Sequence, residues 1–170
     1  MSLAAELGAR LRGEPVIVGI GNPLRGDDAA GSLVARGLRP VPGVRVIDAE
    51  EVPENQVGPV VAARPTAVLL IDAVDLAAAP GSIALLEAGD LRLHDAWTHR
   101  VPLGLLMGVL ARETGADVFL LAIQPRQVGL GCALSAEVEA SVALVVETLD
   151  GLLDRRRSSP VAPGAAGGGA

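Results

Sequence analysis

Residues 66–72 read TAVLLID, an apolar run that ends on an aspartate and decides the fold class of this chain. Similar runs occur at 15–20 (PVIVGI) and at 117–123 (DVFLLAI). These runs do not alternate apolar with polar residues, which is typical of strands that are buried on both faces. Such strands form mostly parallel sheets, because helices must cover both sides of a sheet that exposes neither face.

The segments around these runs have helical composition, so strands and helices alternate along the chain. The pattern predicts an α/β fold, a three-layer α/β/α sandwich with a twisted, mostly parallel five-stranded sheet and helices on both faces. Two further strands are predicted at 44–48 and 81–86. The predicted helices are 3–12, 28–38, 53–63, 102–114 and a last one from a Ser135 cap to about Leu153.

The length of 170 residues suits one domain with a full core, and 50% of the residues are apolar. We expect a single α/β domain over residues 1–154, with its core at 15–152. Residues 155–170 are rich in Gly, Ala and Pro without an apolar period, which predicts a disordered tail. No apolar run approaches the ~18 residues of a membrane span, so we expect a cytoplasmic protein without a membrane partner.

Charge and residue usage exclude several classes of function. The net charge of −6 argues against a nucleic-acid partner, which would require a basic face. All 14 cationic side chains are arginines, so mechanisms that need a lysine, such as a Walker P-loop or a Schiff base, are excluded. The one cysteine, Cys132, cannot form an intrachain disulfide, and we interpret it as a buried structural thiol rather than a nucleophile.

Acidic residues follow the predicted strands at the edge where open α/β sheets bind ligands. Asp28 follows the first strand, Asp48 ends the second and Asp72 ends the third. His99 lies in the loop before the helix at 102–114. If that loop folds over the same edge, Asp28, Asp72 and His99 converge. Two carboxylates and an imidazole suit a borderline divalent metal such as nickel or zinc.

Each of these residues also has a simpler interpretation. Asp28, like Asp27 before it, could cap the following helix. Asp72 could accept hydrogen bonds from the turn at 74–75, and His99 could be an ordinary loop histidine. The case for a site therefore rests on the three residues together.

The segment Gly19-Ile20-Gly21, with Asp48 after the next strand, imitates a dinucleotide-binding fingerprint. The third glycine of that fingerprint would fall at Leu24, so a Rossmann-like nucleotide-binding protein is the less favoured alternative.

Several segments, taken in order, resemble the nickel–iron hydrogenase maturation proteases. The resemblance extends over residues 15–152, which is nearly the whole predicted domain. The set is more specific than any single segment, because each lies at the expected place in the chain. The segments are GIGN at 19–22, GDD at 26–28 with Gly31, PEN at 53–55, IDAVD at 71–75, TH at 98–99 with PL at 102–103, and AIQP at 122–125.

The resemblance implies an aspartic-type endopeptidase that removes the carboxyl-terminal extension of a hydrogenase large-subunit precursor after nickel insertion. By motif position, Asp28, Asp72 and His99 are the implied metal ligands and catalytic residues. The nickel is expected to come with the precursor, and zinc or cadmium could occupy the same site. We expect the enzyme to be a monomer. A non-catalytic nickel-binding assembly chaperone with the same ligands is the alternative.

Overall fold

The computed structural model describes residues 2–91 and 102–158 and is built around a five-stranded sheet. The strands are β1 (Val16–Ile20), β2 (Arg45–Glu50), β3 (Ala67–Ala73), β4 (Ile83–Leu86) and β5 (Asp117–Ile123). Their order is β2-β1-β3-β5-β4. All neighbouring pairs are parallel except β4, which pairs antiparallel with β5 at one edge of the sheet. The predicted mostly parallel sheet of five strands is confirmed.

The predicted helices are present with adjusted boundaries. Short 3-10 helices at Gly26–Ala29 and Pro53–Gln56 precede α2 and α3, so the predicted helices at 28–38 and 53–63 each begin with a tighter turn. No helix in the described part of the chain is long and apolar enough to span a membrane. The α-helices are α1 (Leu3–Arg10), α2 (Ala30–Gly37), α3 (Val57–Ala62), α4 (Leu103–Thr114) and α5 (Ala136–Ser158).

The last helix is longer than predicted. α5 runs to Ser158 rather than ending near Leu153, so the first four residues of the predicted disordered tail are helical. Arginine has a high helix propensity, so the arginine run at 155–157 favours continuation of the helix. Residues 159–170 lie outside the described part. β2 likewise continues past Asp48 to Glu50.

Alternate side chains of the central strands point into two separate apolar cores. The first core lies between the sheet and helices α1, α2 and α5, and the second lies between the sheet and helices α3 and α4. Both faces of the sheet are therefore covered, as the uninterrupted apolar runs predicted. The first core includes Ile17, Leu69 and Phe119, and the second includes Val18, Leu70 and Leu120.

A pair of glycines lets α2 pack directly against the sheet. A side chain at Gly31 would clash with the carbonyl oxygens of Ile71 and Ile20, at the ends of β3 and β1. A side chain at Gly19 would clash with the carbonyl oxygen of Gly31. The close approach of helix to strand accounts for the glycine at position 19 without any bound nucleotide.

Arg10 fastens the end of α1 to the sheet. Its guanidinium nitrogens lie 2.5 Å from carboxylate oxygens of both Asp117 and Glu87. Its central carbon lies 3.8 Å from the ring centroid of Phe119, within the range of a cation–π interaction. The hydrogen bond to Asp117 is the largest cause of the raised pKa of Arg10, so this residue stays charged.

We expect Gly31→Ala to lower the free energy of unfolding by about 3 kcal/mol or more, because backbone atoms of two strands must move to admit the methyl group. Gly108→Ala is the matched control, since a side chain at this position in α4 would meet nothing within 4 Å. The control should gain up to about 1 kcal/mol from helix propensity. Urea unfolding followed by circular dichroism measures the free energy of unfolding of both variants. An unchanged midpoint for Gly31→Ala would contradict the close packing of α2 against the sheet.

Candidate active site

Asp28 lies in the 3-10 helix directly after β1. The backbone N–H of Asn22 donates to its Oδ2 atom at 3.0 Å, which orients the carboxylate. Gly21, at φ 148°, packs so closely against the carbonyl oxygen of Asp28 that a side chain there would clash. The residue that caps α2 is Ala29, without a side-chain hydrogen bond, so the capping interpretation of Asp28 is wrong.

Asp72 is the second-to-last residue of β3 and is 9% exposed. Its Oδ1 atom accepts a hydrogen bond from the N–H of Ala73 at 2.8 Å. The N–H of Val74, which was a candidate donor to Asp72, instead donates to the carbonyl oxygen of Ile123 at 3.0 Å. Continued pairing with β5 therefore takes the place of the expected turn.

Gln124 holds the segment that follows Asp72. It is buried at the end of β5, and its Oε1 atom accepts hydrogen bonds from the N–H groups of Leu76 at 2.6 Å and Ala78 at 3.3 Å. In the sequence, Gln124 belongs to the AIQP segment at 122–125, and that pattern alone predicts no role for its side chain. The structure shows that this side chain fixes the loop between β3 and β4.

The two aspartates lie at the same edge of the sheet. β1 and β3 are neighbours, with Gly19 opposite Ile71, so both strands end side by side. The 3-10 helix that carries Asp28 also contacts β3. His99 lies outside the described residues, and within 2–91 and 102–158 no group of three potential ligands is arranged to hold a metal ion. The ligand role of Asp28, Asp72 and His99 stays a prediction.

The structure also shows the surroundings of two other residues singled out in the sequence. Asp48 forms an ion pair with Arg36 on α2, at 2.5 Å. Cys132 is exposed, so its interpretation as a buried thiol is wrong. It follows Gly131, which adopts a φ of 77°, a conformation that glycine accommodates readily.

Asp27, the neighbour of Asp28, is completely buried and joins two distant parts of the chain. Its Oδ2 atom accepts hydrogen bonds from the N–H groups of Arg126 at 2.8 Å and Gln127 at 3.1 Å, and from the Ser135 hydroxyl at 2.8 Å. Its Oδ1 atom accepts the N–H of Ser135 at 2.7 Å. The Asp27 carboxylate therefore holds the loop between β5 and α5 against the turn that carries Asp28.

These hydrogen bonds also determine the charge of Asp27. Burial is the largest single effect and raises the pKa of Asp27. The hydrogen bonds from Ser135, Arg126 and Gln127 together outweigh burial and bring the pKa below its usual value. The side chain is therefore an ionised carboxylate at neutral pH, with its charge stabilised by four donors.

Comparison with known proteins identifies the family. The family profile for HycI hydrogenase maturation proteases matches residues 31–151. This chain belongs to the hydrogenase maturation protease family. The hydrogenase 3 maturation protease of Escherichia coli K12 is 33% identical over 139 residues, which is 80% of this chain and 88% of that relative. Membership makes the chain a peptide-bond hydrolase, as predicted.

Two more hydrogenase maturation proteases extend the comparison to archaea. A putative maturation protease of Methanocaldococcus jannaschii is 29% identical over 144 residues, covering 79% of this chain and 85% of the relative. The crystal structure of the nickel–iron hydrogenase maturation protease HycI from Thermococcus kodakarensis superposes with a TM-score of 0.80 at 30% identity. That superposition covers 89% of this chain and 98% of the other, so the fold is shared almost throughout.

We expect Asp27→Asn to lower the free energy of unfolding by about 3 kcal/mol at pH 7, because the amide group turns an N–H donor toward the buried donors. A lowered folded pKa means that Asp27 stabilises the protein above the pKa of the unfolded chain and loses this effect as the pH falls. The difference between wild type and variant should therefore shrink below about pH 4.

Urea unfolding at several pH values checks this expectation. Glu137→Gln is the matched control, because Glu137 pairs with Arg126 of the same loop and its side chain is 41% exposed. The control should change stability by less than about 0.5 kcal/mol. Equal effects of the two substitutions at pH 7 would show that Asp27 is not the residue that holds the loop.

Proposed function

We propose that this protease removes the carboxyl-terminal extension of a nickel–iron hydrogenase large-subunit precursor after the nickel has been inserted. In this proposal Asp28, Asp72 and His99 form a cluster that binds the nickel carried by the precursor. The metal belongs to the substrate, and zinc or cadmium could take its place in the same cluster. The family of the chain indicates the class of reaction, which is peptide-bond hydrolysis. The three residues would recognise the nickel of the precursor.

The arrangement of the two aspartates is the observation that supports this proposal best. Asp28 and Asp72 follow neighbouring parallel strands, at the edge where α/β proteins bind their ligands. Backbone N–H groups of Asn22 and Ala73 hold the two carboxylates in fixed orientations. Carboxylate oxygens and an imidazole nitrogen are ligands that suit a borderline divalent cation, which nickel is.

The chemical step that we propose is direct attack by water on the scissile peptide. The chain has no serine in a nucleophile elbow, and the proposed cluster of Asp28, Asp72 and His99 does not include its one cysteine, Cys132. The hydroxyl of the water joins the carbonyl carbon, the C–N bond breaks, and a proton passes to the leaving amine. Asp28 or Asp72 accepts the proton from the attacking water, as general-base catalysis requires.

We expect Asp28→Asn and His99→Ala each to reduce cleavage of nickel-loaded precursor by at least about a hundredfold, since each removes a group that anchors the substrate or moves a proton. Mass spectrometry of the precursor detects the shortened product, and circular dichroism checks that the variants fold. Asp48→Asn is the matched control because Asp48 pairs with Arg36, and it should cleave at the wild-type rate. Full cleavage by Asp28→Asn and His99→Ala would refute the proposal.

Recognition of nickel is tested separately with precursor prepared without the metal. We expect wild-type enzyme to leave nickel-free precursor intact and to cleave it once nickel has been restored. The physical reason is that nickel-free precursor lacks the ion through which the cluster would position the scissile bond. Equal cleavage of both precursors would show that the enzyme recognises the polypeptide alone.

A further inference from the structure

Three large apolar side chains are exposed on two neighbouring loops. Leu24 is 69% exposed, Leu130 is 75% exposed and Val128 is 42% exposed. Leu24 belongs to the turn between β1 and α2, and the other two belong to the loop between β5 and α5. An isolated exposed leucine is ordinary, but a group of them beside a candidate active site indicates a contact surface.

The two loops are bound to each other, so the group is held in a fixed arrangement. The N–H of Gly131 donates to the carbonyl oxygen of Leu24 at 2.8 Å. A side chain at Gly26 would lie 2.9 Å from the carbonyl oxygen of Gln127, which shows how closely the loops pack. The buried Asp27 carboxylate also joins these two loops, because it accepts hydrogen bonds from the N–H groups of Arg126 and Gln127. The exposed apolar groups are therefore presented by a rigid frame, which favours binding.

Leu24 also lies close in sequence to the candidate catalytic carboxylate. Leu24 precedes Asp28 by four residues. The same turn contains the hydrogen bond from the N–H of Asn22 to the Asp28 carboxylate. Leu24 and Asp28 therefore lie in one turn, whose backbone conformation this hydrogen bond helps to fix.

The segments that carry the exposed apolar side chains are basic, although Asp27 and Asp28 follow in the same turn. Residues 22–25 and 125–134 contain two arginines and no acidic residue, whereas the chain carries a net charge of −6. Arg126 forms an ion pair with Glu137. Arg25 is exposed and forms no ion pair with the described residues. The surface thus combines apolar side chains with one available cation.

We propose that Leu24, Arg25, Val128 and Leu130 form a docking surface for the precursor segment beside the scissile bond. The segment that fits is an extended peptide with apolar side chains and a nearby carboxylate, which Arg25 would pair. This inference rests on the proposed function and adds to it a place where the polypeptide, rather than the nickel, is bound. The docking surface sets affinity for the precursor, and the aspartates carry out cleavage.

A second copy of this chain fits the surface less well. Stable dimers bury about 800 Å² on each partner, more than three side chains provide. A two-fold contact would also bring the same surface of both copies together, and with it two Arg25 cations of like charge. A peptide that carries a carboxylate meets neither difficulty.

The test is the double variant Leu24→Ser/Leu130→Ser, assayed with nickel-loaded precursor. We expect KM to rise about tenfold with kcat unchanged, because binding is lost while the cleavage machinery stays in place. Arg25→Glu should also raise KM, with a larger effect at low salt. Leu144→Ser, which changes a leucine that is 51% exposed on α5, is the matched control and should leave KM unchanged.

The outcomes separate this inference from the proposed function. An unchanged KM in the double variant, or an equal rise in the control, would overturn the docking surface while cleavage by wild type still supports the protease activity. If wild type binds the precursor without cleaving it, only the cleavage proposal fails. The Kd of each variant for the precursor then tests the docking surface. If wild type neither binds nor cleaves, both fail. A wild-type dimer in sedimentation that Leu24→Ser/Leu130→Ser dissociates would assign the surface to self-association and overturn the inference.

Discussion

The buried carboxylate of Asp27 is the interaction on which the rest of this edge of the molecule depends. It connects the turn after β1 with Ser135, which lies 108 residues later and immediately precedes α5. An ionised group away from water is tolerated only when its oxygens are fully hydrogen-bonded, so the loss of one donor weakens the whole set. The position of Asp28, the start of α5 and the arrangement of the exposed leucines follow from this one group.

A similar arrangement supports the second aspartate. Gln124 binds the backbone that follows Asp72, and Gly31 allows α2 to contact the ends of β1 and β3. Their common effect is to fix the backbone on either side of the acidic side chains, so that the carboxylates are oriented before any substrate binds.

The sheet and the place of the acids could be predicted because they depend on local patterns. Uninterrupted apolar strands require cover on both faces, and strand ends are where polar groups collect. The different roles of Asp27 and Asp28 could not be predicted, because both acids follow the same glycine. The partners of the Asp27 carboxylate lie about a hundred residues away in sequence. The exposure of Cys132 depends in the same way on the packing of one loop against another.

The packing of α1 against α5 has a consequence for how the molecule is made. These helices share one apolar core, to which α1 contributes Leu7 and α5 contributes Leu149. A ribosome-bound chain that has emerged as far as β3 already contains Asp28 and Asp72, yet it lacks every partner of Asp27 and the helix that closes this core. Contacts between residues this far apart in sequence also cost loop-closure entropy before they form. A protease that acts in the maturation of another enzyme thus completes the hydrogen bonds that support its own candidate site only after the chain has been synthesised as far as Ser135.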